Sequence, residues 1–362
     1  MRGGGSARPE LAPRSEWVLS ASFPRASALP ALVLLILVLV AVLWASAPGA
    51  RIKCLPMVES RMMMDTLVSI KAWGPPEIAE SAINAGFQAM ENVDRMASFY
   101  RPDSALSMLN HDRRVCRAGS FSTLMENSEA AFKATGGFFD PTFSTIARAW
   151  GFYDGNGRQP SSEELRECLS RCGWDRQIRF ENFEGEEVVS LASGASIDLG
   201  GIAGGFAIQE AASAMRDKGC STFFIDDGGD LWMEGKKPDG SIWKVAVRDP
   251  RDNGILAEIV SAAPVAISTS GDYERFVMVD GRRINHIFDL LSGRPAECYR
   301  SVTVVSNTPL SSDIWSTALF SMDPATARST SVRENLAALF LPASGPAWIS
   351  EAGRVWFRKL KQ

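Results

Sequence analysis

The sequence predicts an α+β fold in which helices flank a largely antiparallel sheet. Three observations support this prediction. Apolar residues recur at helical spacing in several segments before residue 220, and eight short strand-like runs follow one another closely between residues 221 and 306. Two more helical segments then precede the last strands. Helices grouped around such closely spaced strands are typical of α+β domains.

The first elements are justified by periodicity and capping. Residues 63–72 alternate in polarity, which predicts a strand. Residues 76–96 place apolar side chains at helical spacing, which predicts an amphipathic helix. Asp103 or Ser104 can then cap a short helix that ends at Asn110.

Glycine, proline and capping residues define the next elements. A helix is predicted over 120–135, where Gly136 and Gly137 stop it, and Pro141 makes 137–142 a shaped loop. The Ser-Ser-Glu-Glu motif at 161–164 predicts a capped helix that ends near residue 173. Two short strands follow, at residues 178–180 and 188–191.

The remaining elements are predicted from alternating polarity and from Gly-rich turns between the segments. Residues 195–210 are predicted as a strand, a Gly-rich turn and the start of a helix that continues to about residue 218. Further strands are predicted at 221–226, 231–234, 243–247, 258–260, 265–268, 276–279, 285–288, 302–306, 337–341, 347–350 and 355–359, with helices at 311–322 and 325–336.

The composition is that of an ordinary globular protein. Of 362 residues, 46% are hydrophobic and 22% are charged, so a sizeable core is expected. The chain has room for one large or two modest domains, because single cores usually stop growing at about 250 to 300 residues. The net charge of -4, without a basic run interleaved with aromatic residues, leaves no nucleic-acid partner to expect.

The N-terminal region is expected to anchor the chain in a membrane. Residues 1–27 are rich in small and polar residues and lack periodicity, which is typical of a disordered tail. Residues 28–47 include an apolar run at 31–44, and about 20 apolar residues suffice for one helix to cross a bilayer. We expect a transmembrane signal-anchor at 28–47, a linker at 48–57 and a folded domain at 58–362.

A cleaved signal peptide is the alternative interpretation, because Ala45-Ser46-Ala47 has the small-residue form of a cleavage site. In either case the bulk of the chain is exported. Arginines are slightly more frequent before the apolar run than basic residues are after it, which favours a cytoplasmic N terminus. The expected location is a single pass through a bacterial inner membrane, with the folded domain on the periplasmic side.

Six cysteines stand at positions 54, 116, 168, 172, 220 and 298. No CxxC pair occurs among them, so the sequence offers no zinc ligand set. Two or three disulfides and buried free thiols are both open interpretations in an oxidising compartment.

A Gly-rich segment from Asp198 to Phe206 is the first candidate site. It is expected to present backbone amides and the positive end of a helix, which together attract anions. The pattern is neither GxGxxG nor a P-loop. Close packing of a strand on a helix is the structural alternative for the glycines, and helix capping is the alternative for Asp198.

Two oxygen-bearing side chains lie four residues apart at Asp313 and Thr317, on one face of a predicted helix. Carboxylate, hydroxyl and carbonyl oxygens are the ligands that Mg²⁺ prefers, with phosphates and water completing its coordination. Helix capping by Ser312 or Asp313 is the structural alternative.

The densest set of reactive groups lies in residues 269–295, which are predicted to form a single hairpin. The segment holds hydroxyls, a carboxylate at Asp289 and His286, one of only two histidines in the chain. A histidine near its ordinary pKa can act as a general base, although a lone histidine in a strand is also often structural.

A series of short motifs occurs in a fixed order along the folded domain. They are MDT at 64–66, FYRPDS at 99–104 with LN at 109–110, GFFDPT at 137–142 with WGF at 150–152, IDLGGIAGGF at 197–206, DGGD at 227–230, the segment 243–250, TSGDY at 269–273, HIFD at 286–289 with GRP at 293–295, SVTV at 301–304 and DIWST at 313–317. Taken together they resemble the FAD:protein FMN transferases of the ApbE family over residues 58–362.

This resemblance implies a bilobed, T-fold-like α+β domain that holds FAD in a cleft, with Mg²⁺ on the FAD pyrophosphate. It further implies transfer of the FMN half to a Ser or Thr hydroxyl of an acceptor flavoprotein subunit, with release of AMP. The site residues that it implies are FAD contacts at Met64, Tyr100, Phe138, Phe139, Asp140, Asp198, Gly204 and Ile287, Mg²⁺ ligands at Gly201, Asp313 and Thr317, and His286 acting on the acceptor hydroxyl.

The chain departs from the family pattern at three positions. Asp65 stands where Gly is common, Gly204 stands where a long charged residue is common, and Leu290-Leu291 replaces a Pro after Asp289. Two alternatives to transfer are therefore kept: Mg²⁺-dependent hydrolysis of FAD to FMN and AMP, and FAD binding without turnover.

Overall fold

The computed structural model describes residues 55–262, 264–358 and 360. Residues 53–362 form one compact unit. The predicted tail at 1–27, the anchor at 28–47 and most of the linker at 48–57 lie outside the described residues. Within the part that is described, no helix is both long and apolar enough to span a bilayer.

The helices in the described part of the chain are α1 (Pro76–Ala97), α2 (Ala105–Asp112), α3 (Gly119–Thr135), α4 (Ser144–Ala149), α5 (Ser162–Ser170), α6 (Trp174–Gln177), α7 (Gly200–Asp217), α8 (Pro309–Ser321) and α9 (Pro324–Arg333). Short 3₁₀ helices cover Pro141–Phe143 and Ala352–Val355.

The strands are β1 (Met57–Met63), β2 (Thr66–Trp73), β3 (Arg114–Cys116), β4 (Ile178–Phe183), β5 (Glu186–Leu191), β6 (Thr222–Asp227), β7 (Asp230–Glu234), β8 (Trp243–Arg248), β9 (Ile255–Ser261), β10 (Val265–Gly271), β11 (Phe276–Val279), β12 (Arg282–Asn285), β13 (Phe288–Asp289), β14 (Arg294–Pro295), β15 (Tyr299–Ser306), β16 (Ala337–Pro342), β17 (Trp348–Ile349) and β18 (Phe357–Arg358).

The central sheet confirms the predicted α+β class. It has eight strands in the order β1-β2-β6-β7-β10-β15-β16-β17, and every paired neighbour runs antiparallel. Smaller sheets are built from β8-β9-β18, β3-β5-β4, β11-β12 and β13-β14. The α7 helix packs against both α1 and α8. One large core lies between these helices and the central sheet.

Local sequence signals explain most helix boundaries. The predicted capping box is present, because Ser161 accepts a hydrogen bond from the Glu164 amide while the Glu164 side chain accepts one from the Ser161 amide. Ser104 caps α2 by accepting from the Ser107 amide, as one of the two predicted cap residues. Gly136, in the left-handed region at φ 67°, ends α3.

Several predicted elements differ from the structure. The strand predicted at 63–72 is the second half of a hairpin, because Met64 and Asp65 adopt positive φ and form the turn between β1 and β2. No strand forms at 195–198, and the Gly-rich segment after it is helical. The single hairpin predicted over 269–295 is instead the end of β10 followed by two separate two-stranded ribbons.

The five cysteines within the described residues, Cys116, Cys168, Cys172, Cys220 and Cys298, are free thiols. Cys172 and Cys220 are buried and match the free-thiol interpretation, whereas Cys116 and Cys298 are exposed. Burial raises the pKa of Cys172 to about 12, so its thiol stays protonated and unreactive at neutral pH.

Candidate active site

Two glycines allow α7 and α8 to pack in close contact. A Cβ at Gly205 would lie 2.7 Å from the Pro309 carbonyl oxygen and 2.8 Å from Asp313 Cβ, so a larger residue cannot fit. A Cβ at Gly201 would lie 3.2 Å from the Phe139 ring and 3.6 Å from Thr317 Cγ2. Gly205 therefore permits close packing of one helix on another, not of a strand on a helix as the structural alternative had it, and this packing brings the first turns of α7 against α8.

This crossing brings together the three residues predicted to bind Mg²⁺. The Gly205 amide, which in a regular helix pairs with the Gly201 carbonyl, donates to Asp313 Oδ2 at 2.8 Å. From the position of a Cβ at Gly201, Thr317 Oγ1 is 3.8 Å away. A carbonyl, a carboxylate and a hydroxyl thus lie within one small region.

Capping does not account for Asp313. The α8 helix begins at Pro309 with Thr308 as its N-cap, and the Thr308 side chain accepts from the Ser311 amide. Asp313 is therefore the fifth residue of the helix and lies beyond its first turn. Its carboxylate is almost fully buried, at 7% exposure.

Three carboxylates converge on the open space beside Gly204. A Cβ added there would lie 3.6 Å from Asp227 Oδ2, 3.6 Å from Asp313 Oδ2 and 3.8 Å from Asp230 Oδ2. Asp227 is also buried, and its Oδ1 has no hydrogen-bond partner among the residues that the structure describes. We call Asp227, Asp230 and Asp313 the carboxylate cluster.

Burial and mutual repulsion perturb all three carboxyl groups. Burial, reinforced by the charges of Asp230 and Asp226, raises the pKa of Asp227 to about 7. Burial, with the charge of Asp226, also raises the pKa of Asp230 to about 7, against a hydrogen bond from the Thr269 backbone that lowers it. The pKa of Asp313 lies well above its usual range because of burial and then the charge of Asp230.

The oxygen donors near Thr317 are compatible with a hard divalent cation. Carboxyl, hydroxyl and carbonyl oxygens meet there, and oxygen is the donor that Mg²⁺ prefers. No set of three or more His, Cys, Asp or Glu side chains within residues 55–262, 264–358 and 360 is arranged to hold a metal by itself. Any cation here would therefore depend on carbonyl, hydroxyl, water or substrate oxygens as well.

Serine side chains fasten β10 to α8 beneath this region. Ser268 Oγ donates to Ser312 Oγ at 2.9 Å, and Ser270 Oγ lies 2.9 Å from Ser316 Oγ and 3.3 Å from Thr317 Oγ1. These buried hydroxyls fix the face of α8 that carries Asp313 and Thr317. Alternating serines on β10 opposite serines four apart on α8 were the sequence signal that could have revealed this contact.

Asp198 lies at the start of α7 and has two donors. Its Oδ1 accepts from the Gly200 amide at 2.8 Å, so it bonds the helix start as the capping alternative proposed, although the N-cap position itself is Leu199. Its Oδ2 accepts from the Tyr153 hydroxyl at 2.7 Å. Tyr153 was not predicted from the sequence.

Aromatic rings surround this carboxylate. The Tyr153 ring stacks on Phe99 with centroids 4.2 Å apart, and it meets the Tyr100 ring edge-on at 6.5 Å. Tyr100 itself is 62% exposed and is available to a ligand. Burial, followed by the charge of Asp198, raises the pKa of Tyr153 well above its usual range, so its hydroxyl remains a proton donor.

The segment 138–140 lies against the same crossing. Phe139 is buried next to Gly201, and the Phe138 carbonyl accepts from Ser321 of α8 at 3.1 Å. Asp140 accepts from the Thr142 amide and hydroxyl and from the Gly173 amide. Its carboxylate is thus used to shape the loop, and its carbonyl accepts from the Phe143 amide at 3.2 Å.

The predicted contact at Met64 lies in the β1-β2 turn, at φ 51°. Thr66 touches the DGGD turn, because a Cβ at Gly228 would lie 2.5 Å from Thr66 Oγ1. The turns beside Met64 and the carboxylate cluster therefore share one end of the central sheet.

His286 follows β12 and is held by Arg275. Its amide donates to the Arg275 carbonyl at 3.2 Å, and Nδ1 lies 3.1 Å from that same oxygen. A carbonyl oxygen only accepts, so Nδ1 carries the proton and Nε2 keeps its lone pair. Burial and then the Arg275 charge lower the pKa of His286 to about 4, so the imidazole is neutral at pH 7.

The Arg275 guanidinium connects His286 with the rest of the site. After burial, its charge is the second cause that lowers the pKa of His286, and it opposes the rise that burial causes in the pKa of Tyr100 and of Asp227. Ile287, the neighbouring predicted contact, is buried in the main core, where its amide donates to Asn285 Oδ1 at 2.9 Å. Arg275 was not predicted from the sequence. It lies in the turn before β11, ahead of one of the chain's two histidines, and this position could have suggested a role in the site.

The chain is similar to a defined protein family. The model of the ApbE family matches residues 64–340. FAD:protein FMN transferases of Vibrio cholerae and Klebsiella pneumoniae are 31% and 29% identical, over 72% and 81% of this chain and 79% and 87% of their own lengths. The ApbE protein of Thermotoga maritima is 28% identical with a TM-score of 0.77, over 84% of this chain and 100% of that one. The flavinyl transferase ApbE of Pseudomonas stutzeri is 25% identical with a TM-score of 0.74, over 84% and 97%.

Proposed function

The chain belongs to the ApbE family, and from that membership we propose that it is an FAD:protein FMN transferase. The finer proposal is that it uses Mg²⁺ to transfer the FMN half of FAD to a Ser or Thr hydroxyl of an acceptor flavoprotein subunit, releasing AMP. The relatives' names support flavin transfer to protein. The metal, the acceptor residue and the second product follow from the resemblance of the sequence motifs to the family and are part of this proposal.

The α7-α8 crossing is the observation that carries this proposal. It brings Asp313 Oδ2 within 2.8 Å of the Gly205 amide and brings Thr317 against Gly201. Gly201, Asp313 and Thr317 are the residues that would hold Mg²⁺, which when bound polarises phosphoryl oxygens and stabilises a departing phosphate. The crowding of buried carboxylates around Gly204 is consistent with a nearby cation.

FAD is proposed to lie between this crossing and the aromatic residues around Asp198. The exposed Tyr100 ring can stack on a planar ring of the ligand, and the Asp198 carboxylate can accept from ring N–H groups. Phe138, Phe139, the Asp140 backbone, Gly204, Met64 and Ile287 would complete the cleft.

The proposed transfer step uses His286 to remove a proton. The acceptor oxygen forms a bond to the phosphorus nearest riboflavin, and the bond from that phosphorus to the oxygen of the AMP phosphate breaks. The hydroxyl proton passes to the free lone pair on His286 Nε2, and AMP leaves with the bonding electron pair. Because the imidazole is neutral at pH 7, it is in the form that accepts this proton.

Product analysis tests the proposal. The full chain is incubated with FAD, Mg²⁺ and a candidate acceptor subunit, and the acceptor is weighed by mass spectrometry while the small products are separated. We expect an acceptor heavier by one FMN together with AMP. Free FMN and AMP with an unchanged acceptor would instead establish hydrolysis, and unchanged bound FAD would establish a binding protein.

We also propose that the domain lies on the periplasmic side of a bacterial inner membrane, held by residues 28–47. The support is the uncharged apolar run at 31–44 and the slight excess of arginines before it. Protease added to spheroplasts should digest the domain, and the full chain should sediment with membranes. Recovery of the intact chain in the soluble fraction after cell lysis would contradict the proposal.

A further inference from the structure

Tyr153 forms a contact with the candidate FAD site that the sequence motifs do not explain. Its hydroxyl donates to Asp198 Oδ2 at 2.7 Å, a length typical of a bond to a charged acceptor. The Gly200 amide donates to the other carboxylate oxygen at 2.8 Å. With one donor on each oxygen, the plane of the Asp198 carboxylate is fixed.

The Tyr153 ring is itself held firmly. It stacks on Phe99 with an interplanar angle of 14°, and the Arg148 guanidinium lies 5.4 Å from its centroid. The loop that carries it begins at Gly151, where a Cβ would lie 2.1 Å from the Asn156 carbonyl oxygen, so the loop closes tightly on itself. The hydroxyl is therefore aimed at Asp198 by a rigid support.

The bonded carboxylate retains capacity for a ligand. An ionised carboxylate offers about four lone-pair sites, and two are used by Tyr153 and Gly200. The two that remain can accept N–H groups on the edge of a planar ring, while the exposed Tyr100 ring beside Tyr153 offers a stacking surface.

We propose that Tyr153 is a positioning residue for FAD: its hydroxyl orients the Asp198 carboxylate so that Asp198 accepts hydrogen bonds from a ring edge of the bound dinucleotide. This inference rests on the proposed function, because it takes FAD as the ligand. Tyr153 acts through Asp198 and makes no contact with the reacting phosphorus in this account.

The inference predicts coupled effects of two substitutions. Tyr153→Phe keeps the ring stack and removes only the hydroxyl, so FAD affinity should fall about tenfold, as expected for loss of a bond to a charged group. Asp198→Asn should weaken binding at least as much. In the Asp198→Asn background, adding Tyr153→Phe should change the affinity by less than about twofold, because the partner that it orients is already altered.

The measurement is isothermal titration calorimetry of FAD with the full chain in detergent, for the wild type, both single variants and the double variant. Asp154→Asn, an exposed change in the same loop, serves as the matched control and should bind FAD like the wild type. Thermal unfolding of each variant checks that the fold is kept.

Three outcomes would overturn the inference. If Tyr153→Phe lowers the FAD affinity by the same factor in the wild-type and Asp198→Asn backgrounds, the role of the hydroxyl is purely structural. Wild-type or tighter affinity in Tyr153→Phe would show that the hydroxyl does not assist binding. If the wild-type chain binds no FAD, the proposed function is overturned as well. If the wild type binds FAD and transfers FMN but the effects of the two substitutions on affinity are additive, only the role of Tyr153 is overturned.

Discussion

Replacing Asp227 by Asn should stabilise the ligand-free protein at alkaline pH. Asp227 is buried beside Asp230, and no group in the described part of the chain forms a hydrogen bond with its Oδ1. Folding thus takes an ionised carboxylate out of water and places it next to another. Asparagine has a similar shape, carries no charge and can donate to the neighbouring carboxylates.

The magnitude follows from the pKa of Asp227. Its pKa rises from 3.8 when unfolded to about 7 when folded, and each tenfold change in proton affinity corresponds to about 1.4 kcal/mol. The ionised side chain therefore lowers the free energy of unfolding by up to about 4 kcal/mol at pH 8. Because Asp227 and Asp230 titrate together, we expect Asp227→Asn to raise the free energy of unfolding by about 2 to 4 kcal/mol.

The pH dependence has a defined sign. Because the folded pKa is the higher one, the folded state binds more protons between pH 3.8 and about 7, so wild-type stability falls as pH rises through this window. At pH 4.5 the cost of Asp227 shrinks to about 1 kcal/mol. The advantage of Asp227→Asn should shrink with it.

Urea unfolding of residues 53–362, with chelator present, at about pH 8 and pH 4.5 measures this effect. Asp217→Asn, an exposed change at the end of α7 that removes the same formal charge, is the matched control. Adding Mg²⁺ at pH 8 should stabilise the wild type and reduce the difference in free energy of unfolding between the wild type and Asp227→Asn. The reasoning is refuted if Asp227→Asn is less stable than the wild type at pH 8, or if both show the same pH dependence.

Three other substitutions probe the site. His286→Ala should lower the rate of transfer by about 10² to 10⁴-fold while FAD affinity stays within about twofold. In the wild type, the contribution of His286 to the rate should be lost only as pH falls toward 4, where the imidazole becomes protonated. Transfer at the wild-type rate in His286→Ala would remove His286 from the mechanism. Asp313→Ala should raise the half-saturating Mg²⁺ concentration more than about tenfold, and an unchanged Mg²⁺ titration would contradict its role as a ligand. Gly205→Ala should destabilise the fold by about 1 to 3 kcal/mol because its Cβ would lie 2.7 Å from the Pro309 carbonyl. Gly204→Ala, whose Cβ meets nothing closer than 3.6 Å, is the control and should be neutral or gain up to about 1 kcal/mol; equal losses at both positions would refute the packing argument.

Elements with strong local signals could be predicted from the sequence. The α1 helix, the Ser161 capping box and the strands from β6 to β11 together with β15 follow from periodicity and turn residues. The turn at Met64 and Asp65 was missed because non-glycine residues adopt positive φ there, which local preference disfavours. The glycines of α7 suggested a turn, whereas helix packing against α8 favours a helix.

The candidate site depends on contacts between residues far apart in the chain. The pairing of Asp313 with Thr317 is visible as a four-residue spacing, but their proximity to Gly201 requires the packing of α7 on α8. The contact of Tyr153 with Asp198 joins residues 45 apart. No local pattern reveals such a contact, because tertiary packing alone creates it.

The stoichiometry of AMP release against acceptor modification tests the central claim most directly. The full chain, FAD, Mg²⁺ and an acceptor subunit are mixed, AMP is quantified, and the intact mass of the acceptor gives the amount of attached FMN. The account predicts one AMP for every FMN attached to a Ser or Thr, with both products lost in His286→Ala. Release of AMP with free FMN and an unmodified acceptor would contradict it.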